Sequence, residues 1–382
     1  MFGISTMKRS VLLLAATAIA VALPSQAFSA AAVDAPITPG STSSGVTTTP
    51  PAPKASTTPY GIDISHPQCG AIPDITPAFA IIGVNGGKAS TQNPCFAQQF
   101  AWANQSSGSP EQPTASVYIN TGNPALEATW WPSSNTTKSG VKISNPKGTC
   151  NHKAGVACAY VYGYSMALDD AQSYIGGTDP ASLMWWLDVE TSNTWSSKDL
   201  AANAASITGM AVYLKSIGAP VGLYSTPYQW KLIAGTTPST SSLSKLPSWL
   251  AGAKSATDAA ARCGGTALTS GGRISMVQWI NSAGTLDYNY SCHQLSTTPK
   301  PKISGTAKVG KKLSTAAGTW SPKPTLKYTW KANGKTISGA TKSYHTVVKS
   351  EVGKTLTVTV TGSKKGYNTV AMVSSATKKV AK

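Results

Sequence analysis

The chain has 382 residues, 41% of them hydrophobic, and a formal net charge of +18. That length accommodates two domains, one of them large, with enough apolar content to pack a core. The charge excludes an evenly mixed surface. Leu295 to Lys382 holds 17 lysines and one acid, Glu351, a net of +16, whereas Tyr60 to Gln294 holds 12 basic and 12 acidic residues. A neutral body carries a basic tail, and the tail's charge points to a polyanionic surface as its partner.

At the N-terminus, Lys8 and Arg9 precede the apolar run Val11 to Leu23, and small residues follow in "PSQAFSAAA". This is the layout of a secretory signal peptide, assigned to residues 1–31. At 13 residues the run falls short of the ~20 that a spanning helix requires, so no transmembrane anchor is expected. The mature chain reads as secreted. Export favours an anionic cell-wall polymer over nucleic acid as the tail's partner. Residues 32–59 are rich in Pro, Thr and Ser and cannot bury a core, so they read as a disordered linker.

The body spans residues 60–294. Strand candidates are Tyr60–Ser65, Phe79–Val84, Ala115–Thr121, Leu183–Glu190, Pro220–Ser225, Ser248–Gly252, Ile274–Trp279 and Thr285–Asn289. Most are continuous apolar runs, as parallel strands buried on both faces are. Helical patterns lie between several of them. One is Cys158 to Gly177; the best is Ser197 to Gly218, with Ser197 as N-cap and Gly218 as stop. Asn123 to Ala157 reads as a long loop after the third strand. The fold class is therefore α/β, a (β/α)8-type barrel, irregular between the last two strands because their spacing is too short for a helix.

All six cysteines, Cys69, Cys95, Cys150, Cys158, Cys263 and Cys292, lie in the body. An even count in an exported chain reads as disulfides. Proximity favours Cys69–Cys95, Cys150–Cys158 and Cys263–Cys292. "CNHKAGVAC" lacks the paired ligand spacing of a structural zinc site, so neither metal nor other cofactor is expected. The tail, residues 295–382, reads as a small all-β sandwich. "KTLTVTVTG" alternates, with Leu356, Val358 and Val360 on one face, and Asn333-Gly334 marks a hairpin.

The chemistry is expected where the strands of such a barrel end. Asp188 and Glu190, two apart, share one face of the fourth strand. Asp63 lies near the end of the first strand and Asp287 in the eighth, and closure makes those strands neighbours. Crowded carboxylates cannot all ionise cheaply, so one pKa rises. A Glu that keeps its proton can give it to a leaving oxygen while a second carboxylate stabilises charge or positions water, the logic of glycoside hydrolysis. Nine of eleven tryptophans lie in the body, and sugar rings stack on such faces. Tyr224, Trp279, Gln278, Trp186 and Asn120 are the substrate-binding candidates.

"GIDIS", "LDVE", "GLYSTPYQW", "SWLAG" and "VQWINSAGTLDYN" together resemble the family 25 glycoside hydrolase lysozymes in order and spacing, from Tyr60 to about His293. The resemblance implies a distorted (β/α)8 barrel cleaving β-1,4 bonds of peptidoglycan. It implies Glu190 as general acid, Asp188 as support for the transition state and the N-acetyl group, and Asp63 and Asp287 as rim carboxylates. Asn85 stands where the family's pattern has an acid. The tail resembles the immunoglobulin-like modules of exported bacterial proteins. The expected protein is a monomeric wall-associated lysozyme; the alternatives are an inactive glycan-binding barrel or a glycosidase for another polysaccharide.

Overall fold

The computed structural model describes residues 55–281 and 283–382. The expected signal peptide, and residues 32–54 of the expected linker, lie outside the described residues. A closed barrel is formed by β1 (Gly61–Ile64), β2 (Ala80–Gly83), β3 (Ala115–Asn120), β4 (Trp185–Asp188), β5 (Val221–Ser225), β6 (Ser248–Ala253), β7 (Ile274–Ile280) and β8 (Asp287–Ser291), each hydrogen-bonded to the next. β1 to β7 pair in parallel, whereas β8 runs antiparallel to both β7 and β1. The irregularity expected at the end of the barrel is this reversal. Residues 281–286 are all that separates β7 from β8, and a parallel crossover needs a dozen or more.

Among the described residues five α-helices follow the barrel strands: α1 (Phe96–Ala103), α2 (Val156–Ser173), α3 (Leu200–Ser216), α4 (Pro227–Ala234) and α5 (Ala256–Arg262). The long loop expected after the third strand runs from β3 to α2 and holds a 3-10 turn at Ala125–Glu127. The best helical pattern forms α3, but its N-cap is Asp199, not Ser197. The Asp199 carboxylate reaches forward to accept from the Ala202 N–H at 2.9 Å, and Ser196 Oγ accepts from the Asp199 N–H at 3.0 Å. α2 and α3 cross with backbones touching. A Cβ on Gly163 would lie 1.9 Å from the Ser206 carbonyl oxygen, and one on Gly209 2.1 Å from that of Tyr160.

β1 to β7 are buried on both faces, as their apolar runs require, whereas β8 is largely half-buried. Ile62, Ile82, Val117, Ile119, Trp185 and Leu187 point outward into the shell they share with the helices. Phe79, Ile81, Trp186, Trp249 and Met276 fill the barrel interior as a separate cluster. The tryptophan pair is therefore divided, Trp185 outward and Trp186 inward. All three expected disulfides are present, with Cα separations of 5.6 Å for Cys69–Cys95, 4.6 Å for Cys150–Cys158 and 5.4 Å for Cys263–Cys292. Each closes a local loop and removes conformational freedom from the unfolded chain, worth about 2–4 kcal/mol.

The tail is all-β. One antiparallel sheet joins β9 (Lys302–Ser304), β10 (Lys312–Ala316) and β13 (Tyr344–Thr346). The other joins β11 (Thr325–Ala332), β12 (Lys335–Thr336), β14 (Leu356–Ser363) and β15 (Val370–Val373). Leu356, Val358 and Val360 are buried on one face of β14, as their alternation dictates. Asn333 and Gly334 form the hairpin between β11 and β12, both with positive φ, 45° and 80°. Trp330 anchors the core with Leu313, Val347 and Val380. The tail touches the barrel through buried Asn368, whose amide donates to the carbonyls of Cys263 (2.8 Å) and Ile274 (3.0 Å).

Candidate active site

The inward positions of the barrel change character along its axis. The apolar cluster of Ile81, Trp186, Trp249 and Met276 forms a floor. One residue pair further along the strands, the same inward face carries Asp63 on β1, Asn120 on β3, Asp188 on β4, Tyr224 on β5 and Gln278 on β7. Because β8 runs the other way, its first residue meets this rim, and Asp287 pairs in register with Asp63. Glu190 lies just past the end of β4, two residues beyond Asp188. The four acids read from the sequence as one cluster therefore stand at one rim.

They are not equivalent. Asp63 and Asp188 are buried, at 9% and 5% exposure, while Glu190 and Asp287 are half-buried and open to the mouth. Asp63 is fully engaged: Gln278 Nε2 donates to its Oδ1 and Oδ2 at 3.1 and 3.0 Å, and Asn289 Nδ2 to Oδ2 at 2.7 Å. Gln278 is itself oriented by the Tyr224 hydroxyl, which donates to its Oε1 at 2.7 Å. Asn289 is oriented by Trp249 Nε1, which donates to its Oδ1 at 2.7 Å. Asp188 Oδ2 accepts from Asn120 Nδ2 at 2.7 Å, but Asp188 Oδ1 is buried with no partner among the described residues.

Burial over an apolar floor drives the electrostatics. It pushes the Asp63 carboxyl well above the usual carboxylate range, with the Asp287 charge adding to the effect and the Gln278 and Asn289 donors opposing it. Burial likewise raises Asp188, aided by the charge of Glu190 and opposed by Asn120. Glu190 is raised by burial, with Ser192 and Tyr224 pulling it back, and Asp287 is raised by burial alone. Protons are thus retained at this rim above the pH at which ordinary carboxyls lose them.

Of the substrate-binding candidates, Asn120, Gln278 and Tyr224 face this rim, where they hold carboxylates. Two others do not reach it. Trp186 is 1% exposed within the barrel floor, because it occupies the inward position one step below Asp188. Trp279 points outward, since the strand's alternation turns Gln278 inward. Its ring packs edge-on to Tyr60, with ring centres 4.9 Å apart, and stacks on Tyr288 at 5.5 Å.

Asn289 and Asp170 are not read from the sequence as site residues, and Asn85 stands out there only as a departure from the family's pattern. Asn289 shares a face with Asp287 two positions away, a signal the period-two pattern carries. Asn85, buried after β2, offers no such signal. Its Oδ1 accepts from the Asn120 N–H at 2.7 Å, and its Nδ2 donates at 2.7 Å to Asp170 Oδ1 on α2. Asp170 is wholly buried, and burial raises its carboxyl well above the ordinary range. A chain of bonds thus runs from α2 through Asn85 and Asn120 to Asp188. Among the described residues no group of three or more His, Cys, Asp or Glu side chains is arranged to hold a metal ion.

A family model described as Lysozyme-like protein 1 matches residues 147–261. A curated relative, probable GH family 25 lysozyme 4 of Dictyostelium discoideum, is 40% identical over 63 residues, 16% of this chain and 29% of that protein. The chain therefore spans less than a third of the length of the curated relative it matches. Among solved structures, the spore cortex lytic enzyme SleM of Clostridium perfringens is 13% identical with a TM-score of 0.36, over 83% of this chain and 97% of that one. A bacterial lysozyme from Streptomyces coelicolor is 17% identical with a TM-score of 0.38, over 61% of this chain and 91% of that one. The segment carrying Asp188, Glu190 and Tyr224 lies within the residues that match the lysozyme-like family model.

Proposed function

We propose that this protein is a secreted peptidoglycan hydrolase that cleaves the β-1,4 bond following N-acetylmuramic acid, with Glu190 as general acid. One observation carries the reading: four carboxyls share one rim, two buried and hydrogen-bonded below, two reachable above. Glu190 and Asp287 are both reachable groups with raised pKa values beside a buried acid. Of the two we assign Glu190, which follows Asp188 just past the end of β4, as the group that holds a proton and delivers it to the departing glycosidic oxygen. As the bond breaks, positive charge grows on the sugar, and that charge draws Asp188 below it toward its ionised form, which stabilises the transition state in a low-dielectric setting. The unpartnered Asp188 Oδ1 needs a donor, and the N–H of a substrate acetamido group would supply one. Asp63, held by three donor contacts, orients the cluster, and Asp287 at the mouth is placed to position water.

The three disulfides support an oxidising, extracellular setting. The lysine-rich tail suits attachment to anionic wall polymers, acting through charge rather than a specific pocket. Digestion of purified peptidoglycan, with the released fragments identified by mass spectrometry, tests the function. Disaccharide-peptide fragments are the expected product. Peptides without sugars, or no release, would reject it.

A further inference from the structure

Beside the rim lies a cavity of about 230 Å³, walled by the loops after β2, β3 and β4 and closed on one side by Tyr162 of α2. One wall, Ser192 to Thr194, belongs to the same turn as Glu190. The Asn193 N–H and Trp195 Nε1 donate to the Glu190 carbonyl at 3.1 and 2.7 Å, and the Ser192 hydroxyl to Glu190 Oε2 at 3.4 Å. The walls are tied down. The Asn123 N–H donates to the Thr194 carbonyl at 2.8 Å, and the Thr91 hydroxyl to the Lys88 carbonyl at 2.6 Å. At Gly122 a Cβ would lie 3.3 Å from the Thr194 carbonyl oxygen, so the loops after β3 and β4 meet through backbone.

Two opposite charges line this cavity, Lys88 from the loop after β2 and Glu127 from the loop after β3. Among the described residues neither takes part in an ion pair. A neutral sugar uses neither charge. A ligand bearing both a carboxylate and an ammonium group uses both, with the Tyr162 ring as an apolar side wall.

We propose that this cavity receives the peptide stem carried by the muramic sugar of peptidoglycan, an inference that rests on the muramidase reading. The stem leaves the sugar through its lactyl ether, within one ring of the bond to be cleaved. It carries carboxylates and, at an uncrosslinked diamino residue, a free ammonium. A cavity sharing a turn with the general acid is therefore where the stem emerges when the scissile oxygen meets Glu190. Stem binding so placed fixes the register of the glycan across the rim and converts remote binding into faster cleavage.

The test compares two substrates with the full chain: glycan strands bearing uncrosslinked stems, and the same strands stripped of stems by an amidase. The expected kcat/KM is at least tenfold lower on stripped strands. In the double variant Lys88→Ala, Glu127→Gln, with unchanged circular dichroism and melting, the ratio between the two substrates falls toward one. Equal rates of the wild type on both substrates would overturn this inference and leave the muramidase reading intact. An undiminished ratio in the double variant would overturn the assignment to this cavity. Failure to cleave either substrate would reject the muramidase reading and the inference with it.

Discussion

In the barrel, twelve acids balance twelve bases, and the acids that matter are drawn inward, two of them buried over a floor of tryptophan, isoleucine and methionine. In the tail, 17 lysines meet one acid, and that acid faces none of them. Glu351 is 3% exposed and bonds to His345 Nε2 through both its oxygens, at 2.9 and 3.0 Å, and to the Val348 N–H at 3.0 Å. Among the described residues no tail lysine is in a salt bridge. One region thus concentrates like charge where desolvation shifts its chemistry. The other spreads like charge where water and salt screen it over about 8 Å. The first arrangement suits bond cleavage at a defined point, and the second diffuse attachment.

The largest expected effect breaks the barrel side of this contrast. Glu190→Gln keeps the shape and removes the proton, so turnover on peptidoglycan should fall by about 10²–10⁴. Urea unfolding should stay unchanged, and unaltered turnover would remove Glu190 from the chemistry. Next comes the tail's buried acid. Glu351→Ala leaves the His345 ring and the Val348 N–H without their acceptor, and should cost about 2 kcal/mol in denaturant unfolding. A loss near zero would mean that water replaces the carboxylate.

A smaller effect concerns attachment. Lys323, Lys364 and Lys365 line one cleft of about 790 Å³ where the tail meets the end of α5. Replacing all three by Gln should weaken pelleting with purified walls several-fold at low salt, with the difference vanishing at high salt. Pelleting equal to wild type at low salt would leave the tail as a spacer.

The smallest effect is a slope. Asp63, Asp170 and Asp188 have folded pKa values raised above the ~3.9 of an unfolded Asp. Between those values the native state binds more protons than the unfolded state. Stability is therefore full below about pH 4 and is lost as pH rises through the folded values. Asp170→Asn lies outside the rim and should make that decline shallower in urea midpoints measured from pH 4 to 7. An unchanged slope would contradict the burial account of Asp170.

Much of this was legible in the chain. Apolar runs set the eight strands, and period two placed Asp188 beneath Glu190. The hairpin reversal of β8 follows from a connection too short for a helix, although its direction needed the paired register to be seen. Trp186 and Trp279 mislead because aromatic content does not tell which side of a strand faces the cleft. Counting inward positions from Asp188 and Gln278 does. The link from Asn85 to Asp170 joins residues 85 positions apart, and no local pattern encodes such a meeting.

The central claim is that the four-carboxyl rim cleaves the bond after muramic acid by proton donation from Glu190. Its most direct test is end-group analysis: digest peptidoglycan, reduce the new sugar ends with borohydride, and identify the sugar alcohol by mass spectrometry. Muramitol-ended fragments are expected from the wild type, at a rate that falls as pH rises through the raised Glu190 pKa, and almost none from Glu190→Gln. Glucosaminitol ends, or muramitol released equally by both proteins, would contradict the account.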